Sequence, residues 1–210
     1  GLLSSKFSLE GPIVKEKTTF FVSARRTYFD VLSKPFLPKD EQFGYFFWDL
    51  NAKVNHKFND RHRLYFSIYS GRDKLGYEDE ESYGESEYGL GWGNISSALR
   101  WNFLIHNKLF MNTTVALSRY KFFTEINDVG YEENTKKKDY EFDMNYESMI
   151  RDWSIKNTFT YTPNNRHEIK FGEAVTLHSF KPGEQGFYEK YSGSNEDDSY
   201  NSNTDTTIHS

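Results

Sequence analysis

The chain has 210 residues, a net charge of −5 with both signs mixed, and no cysteine. That leaves no disulfide staple, no thiolate metal site and no basic footprint for nucleic acid. Mean hydropathy is −0.80, yet aromatic residues reach 18%, too many for a disordered chain, and no run approaches the roughly 18 apolar residues of a membrane helix.

Taken in chain order, the segments alternate with a period of two. Residues 4–10 open the series. Residues 18–28 set Phe20, Val22 and Ala24 against Phe21, Ser23, Arg25 and Thr27. Residues 43–58 set Trp48, Leu50, Ala52 and Val54 against Asp49, Asn51, Lys53 and Asn55, with His56 and Phe58 extending the first group. Residues 63–73 set Leu64, Phe66 and Ile68 against Tyr65, Ser67 and Tyr69. Residues 94–105 set Ile95, Leu99, Trp101 and Phe103 against Asn94, Ser96, Arg100 and Asn102. Residues 109–123 set Leu109, Met111, Val115 and Leu117 against Asn112 and Thr114. Residues 139–162 are long, and their apolar parity flips between Tyr146 and Trp153, which predicts a bulge near residues 149–152 of that strand. Residues 168–180 set Ile169, Phe171, Val175 and Leu177 against Glu168, Lys170 and Thr176. Asn157 and Glu173 break the rule by falling on the apolar side.

The connections alternate too. Residues 11–17, 59–62, 106–108 and 163–167 are short and rich in turn formers. Residues 29–42, 74–90 and about 124–138 read as long loops, and another opens near residue 181. The fold class expected is all-β: an antiparallel transmembrane β-barrel segment of about eight strands, with short periplasmic turns and long extracellular loops. Residues 1–182 would be barrel strands and residues 183–210 a mobile extracellular loop. Both ends read as internal to a longer protein, and the localisation expected is the cell outer membrane.

The stretch Leu2-Leu3-Ser4-Ser5-Lys6-Phe7-Ser8-Leu9-Glu10-Gly11-Pro12-Ile13, followed by Phe20-Phe21-Val22-Ser23-Ala24-Arg25-Arg26-Thr27-Tyr28, resembles the TonB-dependent outer-membrane receptors of Bacteroidetes-type bacteria. Further similarity lies at Asp49-Leu50-Asn51-Ala52-Lys53, Ser70-Gly71-Arg72-Asp73, and residues 59–64 and 159–172. The resemblance implies the first strands of a plugged barrel of about 22 strands. It implies active import of a scarce nutrient such as a glycan, siderophore or cofactor. The partners implied are outer-membrane lipid, the rest of the receptor with its plug domain, TonB through a more N-terminal segment, and optionally a surface lipoprotein. Two other functions fit the same alternation: a passive porin or adhesin barrel, and a soluble carbohydrate-binding β-domain.

No nucleophile–base pair, phosphate-cradling glycine loop or paired catalytic carboxylate stands out, so an enzyme is not expected. The acidic, tyrosine-rich residues 77–88 read as an outer loop, in which Tyr77, Tyr83, Tyr88 and Trp92 could stack on a sugar or an aromatic face. Carboxylates at residues 78–81 offer calcium as an alternative occupant, although no EF-hand spacing is present; no other cofactor is expected. His62, His106 and His167 fall at separate short turns, a placement that does not gather a metal site. Arg25 has lumen parity, where it could meet a carboxylate of the plug.

Overall fold

The computed structural model describes residues 3–38, 41–81, 83–133, 138–191, 200–204 and 208–209. They form one antiparallel sheet in which each of the first seven strands pairs with the next along the chain. The eight principal strands are β1 (Ser4–Val14), β2 (Thr18–Thr27), β3 (Glu41–Lys57), β4 (His62–Glu81), β5 (Gly84–His106), β6 (Leu109–Tyr131), β7 (Lys138–Asn164) and β8 (His167–Tyr191). Two short strands, β9 (Tyr200–Thr204) and β10 (Ile208–His209), pair with β8. A single helical turn, α1 (Phe29–Leu32), and a 3-10 turn at Lys34–Phe36 lie between β2 and β3. The sheet is not closed: β1 is one edge and β8 the other, with residues 167–178 of β8 unpaired on their outer side among the described residues.

The register lines up the alternation seen in the sequence. One row across the sheet reads Phe20, Val54, Phe66, Leu99, Val115, Ile155 and Val175. The neighbouring row reads Val22, Ala52, Ile68, Ser97, Leu117, Trp153 and Leu177. The opposite face carries Ser23, Asn51, Tyr69, Ser96, Ser118, Asp152 and His178 in one row. We refer to these as the Leu99 face and the Ser96 face.

Among the described residues nothing packs over the apolar band of the Leu99 face, although α1 lies against Gly44 farther along it. Leu50, Val54, Phe66 and Leu99 keep 40%, 37%, 44% and 44% of their surface, and Leu177 keeps 64%. Among the described residues the only buried large apolar side chains are Phe123 and Val129. A one-layer sheet has no interior of its own, so its greasy side is covered by something outside the chain or not at all.

Three expectations are corrected. Residues 74–90 are not a loop: β4 and β5 continue as a paired ladder to Glu81 and Gly84. Residues 124–138 are likewise mostly strand, because β6 runs to Tyr131, and residues 183–191 belong to β8. The bulge is displaced to another strand. Glu147 pairs with Glu184 and Met149 with Lys181, so β8 holds the extra residue at Pro182-Gly183 while β7 stays in step with β6. Proline has no N–H to give to a ladder, and glycine tolerates the local bend, which explains that position.

Beyond the bulge the two faces exchange character. The Ser96 face there carries Phe43, Tyr77, Tyr88, Ile126, Met144 and Phe187 in one row. The Leu99 face carries Gln42, Glu78, Glu87, Asn127 and Asp143 in the next. This exchange is the origin of the parity flip between Tyr146 and Trp153; no slip in β7 is required.

Candidate functional site

Strand alternation decides where the predicted residues go. Tyr77 and Tyr88 are cross-strand partners on the Ser96 face, with ring centroids 6.4 Å apart. Trp92, four residues along β5, has the same parity and pairs with Asp73. Tyr83 stands apart in the β4–β5 turn, exposed, where its hydroxyl meets Glu133 Oε1 at 3.5 Å. The structure therefore gathers three of the four aromatics on one face, but on rigid ladder positions and not in a loop.

The same alternation separates the acidic run. Glu78 lies on the Leu99 face opposite Glu87, whereas Asp79 lies on the Ser96 face opposite Ser86. Neighbouring carboxylates are thereby sent to opposite sides, so Glu78 and Asp79 do not converge on one ion, while the side chains of Glu80 and Glu81 lie outside the described residues. Among the described residues no group of three His, Asp or Glu side chains is arranged for a metal. His62 instead stacks on Phe103 and Trp101, at 4.3 and 5.7 Å between centroids.

Arg25 sits on the Ser96 face and is held within the sheet. Its guanidinium contacts Asp49 Oδ2 at 2.6 Å and lies 4.7 Å from the Phe47 ring centroid. Nearby, the Tyr45 hydroxyl donates to Asp73 Oδ1 at 3.2 Å, and burial, followed by that carboxylate, raises the phenol above its ordinary pKa.

One cluster escaped sequence reasoning. Asp152 on β7 receives Ser118 Oγ at 3.4 Å and contacts His178 Nδ1 at 2.8 Å, linking β6, β7 and β8. Its signal was available: the three residues share the parity of the polar face. The order is Ser–Asp–His, with the carboxylate in the middle, so no imidazole is set against the hydroxyl and nucleophile activation is not built. These residues line a hollow of about 600 Å³ on the Ser96 face together with Asn51, Lys53, Tyr69 and Ser96. Its hydroxyl, amide, lysine and carboxylate groups are suited to hydrogen-bonding a hydrophilic partner.

Comparison with protein-family models, with curated proteins and with solved structures yields no match.

Proposed function

We propose that this chain forms a wall of an outer-membrane β-barrel of the TonB-dependent receptor type, which imports a scarce nutrient. The observation that carries the reading is the uncovered apolar band of the Leu99 face backed by a continuous polar face. Residues 109–117 of β6 span roughly 27 Å along the strand at about 3.4 Å per residue, matching the nine to eleven residues a tilted strand needs to cross a bilayer. Aromatic rings crowd the short-turn end of the band, where Trp101 and Phe103 stack at 5.4 Å and Phe159 and Phe171 at 5.2 Å. Amphipathic and aromatic girdles of that kind belong at a membrane interface.

In this reading the Ser96 face lines the lumen. The two open edges, β1 and β8, meet further strands of a barrel of about 22, because a bilayer leaves no water to satisfy a free edge. The exchange of faces beyond the bulge is then the exit from the membrane: the outside becomes charged where it meets water. Tyr77, Tyr88 and Trp92 become an aromatic vestibule wall on which an incoming ligand can stack. Arg25, occupied by Asp49, offers the plug a neutral pair instead of a lone cation. The receptor reading calls for a plug and a TonB-contacting segment in the same protein, and rests for those on the resemblance of residues 2–28.

The test is a nitroxide scan of the full-length protein in bilayers. Labels at Val54, Leu99 and Val115 should be reached by dissolved oxygen, and labels at Lys53, Ala98 and Thr114 by a water-soluble nickel chelate. Loss of that alternation would refute the barrel. Uptake that continues without TonB would refute the active receptor and leave the passive porin.

A further inference from the structure

Where the apolar band of the Leu99 face ends, the register assembles positive charge. Arg72 of β4 pairs with Gly93 of β5, which pairs with Lys121 of β6. Arg119 lies one step toward the band, opposite Ile95 and beside Arg151 of β7. Arg72, Arg119, Lys121, Trp48 and Ile95 line a groove of about 220 Å³ at Gly93. Lys121 shares its charge with Glu147 at 2.5 Å, but among the described residues neither Arg72, Arg119 nor Arg151 has a carboxylate partner. Arg72 is braced over the Phe123 ring at 5.0 Å, which fixes the guanidinium at the groove wall. Its neighbours toward the short turns are Ile95, Leu99 and Leu117, all on the same face.

We propose that this groove seats the phosphate of an anionic lipid headgroup in the outer leaflet, with the acyl chains running down the apolar band. Three features favour this occupant. The cations outnumber the one nearby carboxylate, and an unpaired arginine fork matches phosphate oxygens. Gly93 has no side chain to fill the space between strands β4 and β6. The groove is continuous with the surface that the lipid tails would cover, whereas a soluble anion would have no use for that band. The proposal rests on the barrel reading, since only then does the Leu99 face meet lipid.

The experiment uses the full-length protein in phosphatidylcholine nanodiscs containing diphosphorylated lipid A, with the dephosphorylated form and inorganic phosphate as separate arms. Retained lipid is counted by native mass spectrometry. The wild type should hold the diphosphorylated lipid and neither comparison ligand. Arg72→Gln, Arg119→Gln and Lys121→Gln should each weaken retention about fivefold, the worth of one basic residue at an anionic surface. Gly93→Leu, which keeps every charge and meets only the Gly71 carbonyl at 3.5 Å and Arg72 Cγ at 3.9 Å at its Cβ, should also weaken it. Lys53→Gln, on the other face, should not. Equal retention by all variants, or capture of free phosphate alone, would overturn the proposal. The nitroxide scan on the same nanodiscs separates the failures: alternation with unchanged retention sinks the lipid site only, and absent alternation sinks the barrel with it.

Discussion

Asn157 Nδ2 donates to Glu173 Oε1 at 3.2 Å across the β7–β8 ladder, and Thr113 Oγ1 of β6 donates to Asn157 Oδ1 at 2.8 Å. The two residues that break the apolar alternation are therefore partners in one polar row, between the Phe159–Phe171 pair and the Ile155–Val175 pair. Satisfying each other is what allows them to sit on that face. Asn157→Leu alone should strand the Glu173 carboxyl and cost about 1–3 kcal/mol, whereas Asn157→Leu with Glu173→Leu should recover most of that loss. Urea unfolding from lipid vesicles across the double-mutant cycle measures it. Strictly additive losses would mean that the pair is not coupled.

The inner halves of the strands are legible in the sequence because one side of each is uniformly apolar. Trp48, Leu50, Ala52 and Val54 against Asp49, Asn51 and Lys53 leave no second register that keeps grease together. The outer halves are illegible for the converse reason. Around Tyr77 and Glu78, or Tyr88 and Glu87, one face is aromatic and the other acidic, and Gly76, Gly84, Gly89 and Gly91 punctuate the run as a loop would. The ladder there is held by pairing to neighbours that single-segment patterning does not reveal. The cationic groove was hidden similarly: Arg72 is far in sequence from Arg119 and Lys121 and meets them only through register.

Arg25 and Asp49 lie on the Ser96 face with side chains that keep 48% and 13% of their surface. Solvent screens such a pair, so Arg25→Ala should lower stability by only about 0.2–1 kcal/mol. Asp49→Ala should do more to the local sheet than Arg25→Ala, because it frees a cation over the Phe47 ring. Hydrogen exchange at the amides of β2 and β3 reads both. A loss of several kcal/mol from Arg25→Ala would mean that the arginine is doing more than pairing with Asp49.

At the far end of the β7–β8 ladder, Tyr191 donates to Glu189 Oε1 at 2.8 Å and its ring lies tilted against Tyr140, 5.0 Å between centroids. The hydrogen bond to Glu189 raises the Tyr191 pKa first, and burial adds to it; burial, then the Glu189 charge, raises Tyr140. A folded-state pKa above the unfolded one contributes stability that is complete below the ordinary phenol range and disappears as pH rises through the folded value. Ultraviolet titration of tyrosinate should show these two phenols ionising late, and Glu189→Gln should advance them. Superimposable titration curves for the wild type and Glu189→Gln would contradict this.

Phe123 is the one buried aromatic ring among the described residues, and it is buried by lying over Gly91 on the neighbouring strand. A Cβ on Gly91 would overlap the tip of that ring and stand 2.9 Å from the Asp73 carbonyl oxygen, a backbone atom that cannot step aside. The glycine is thus a socket for the aromatic side chain, and the same ring braces Arg72. Gly91→Ala should expel Phe123 and cost about 1–3 kcal/mol, as overpacking does elsewhere. Phe123→Leu on the Gly91→Ala background should restore part of the loss by removing the ring that clashes. Thermal unfolding of the three variants in the same vesicles decides it. If Gly91→Ala unfolds like the wild type, the ring moves freely and the Arg72 brace is not fixed by packing.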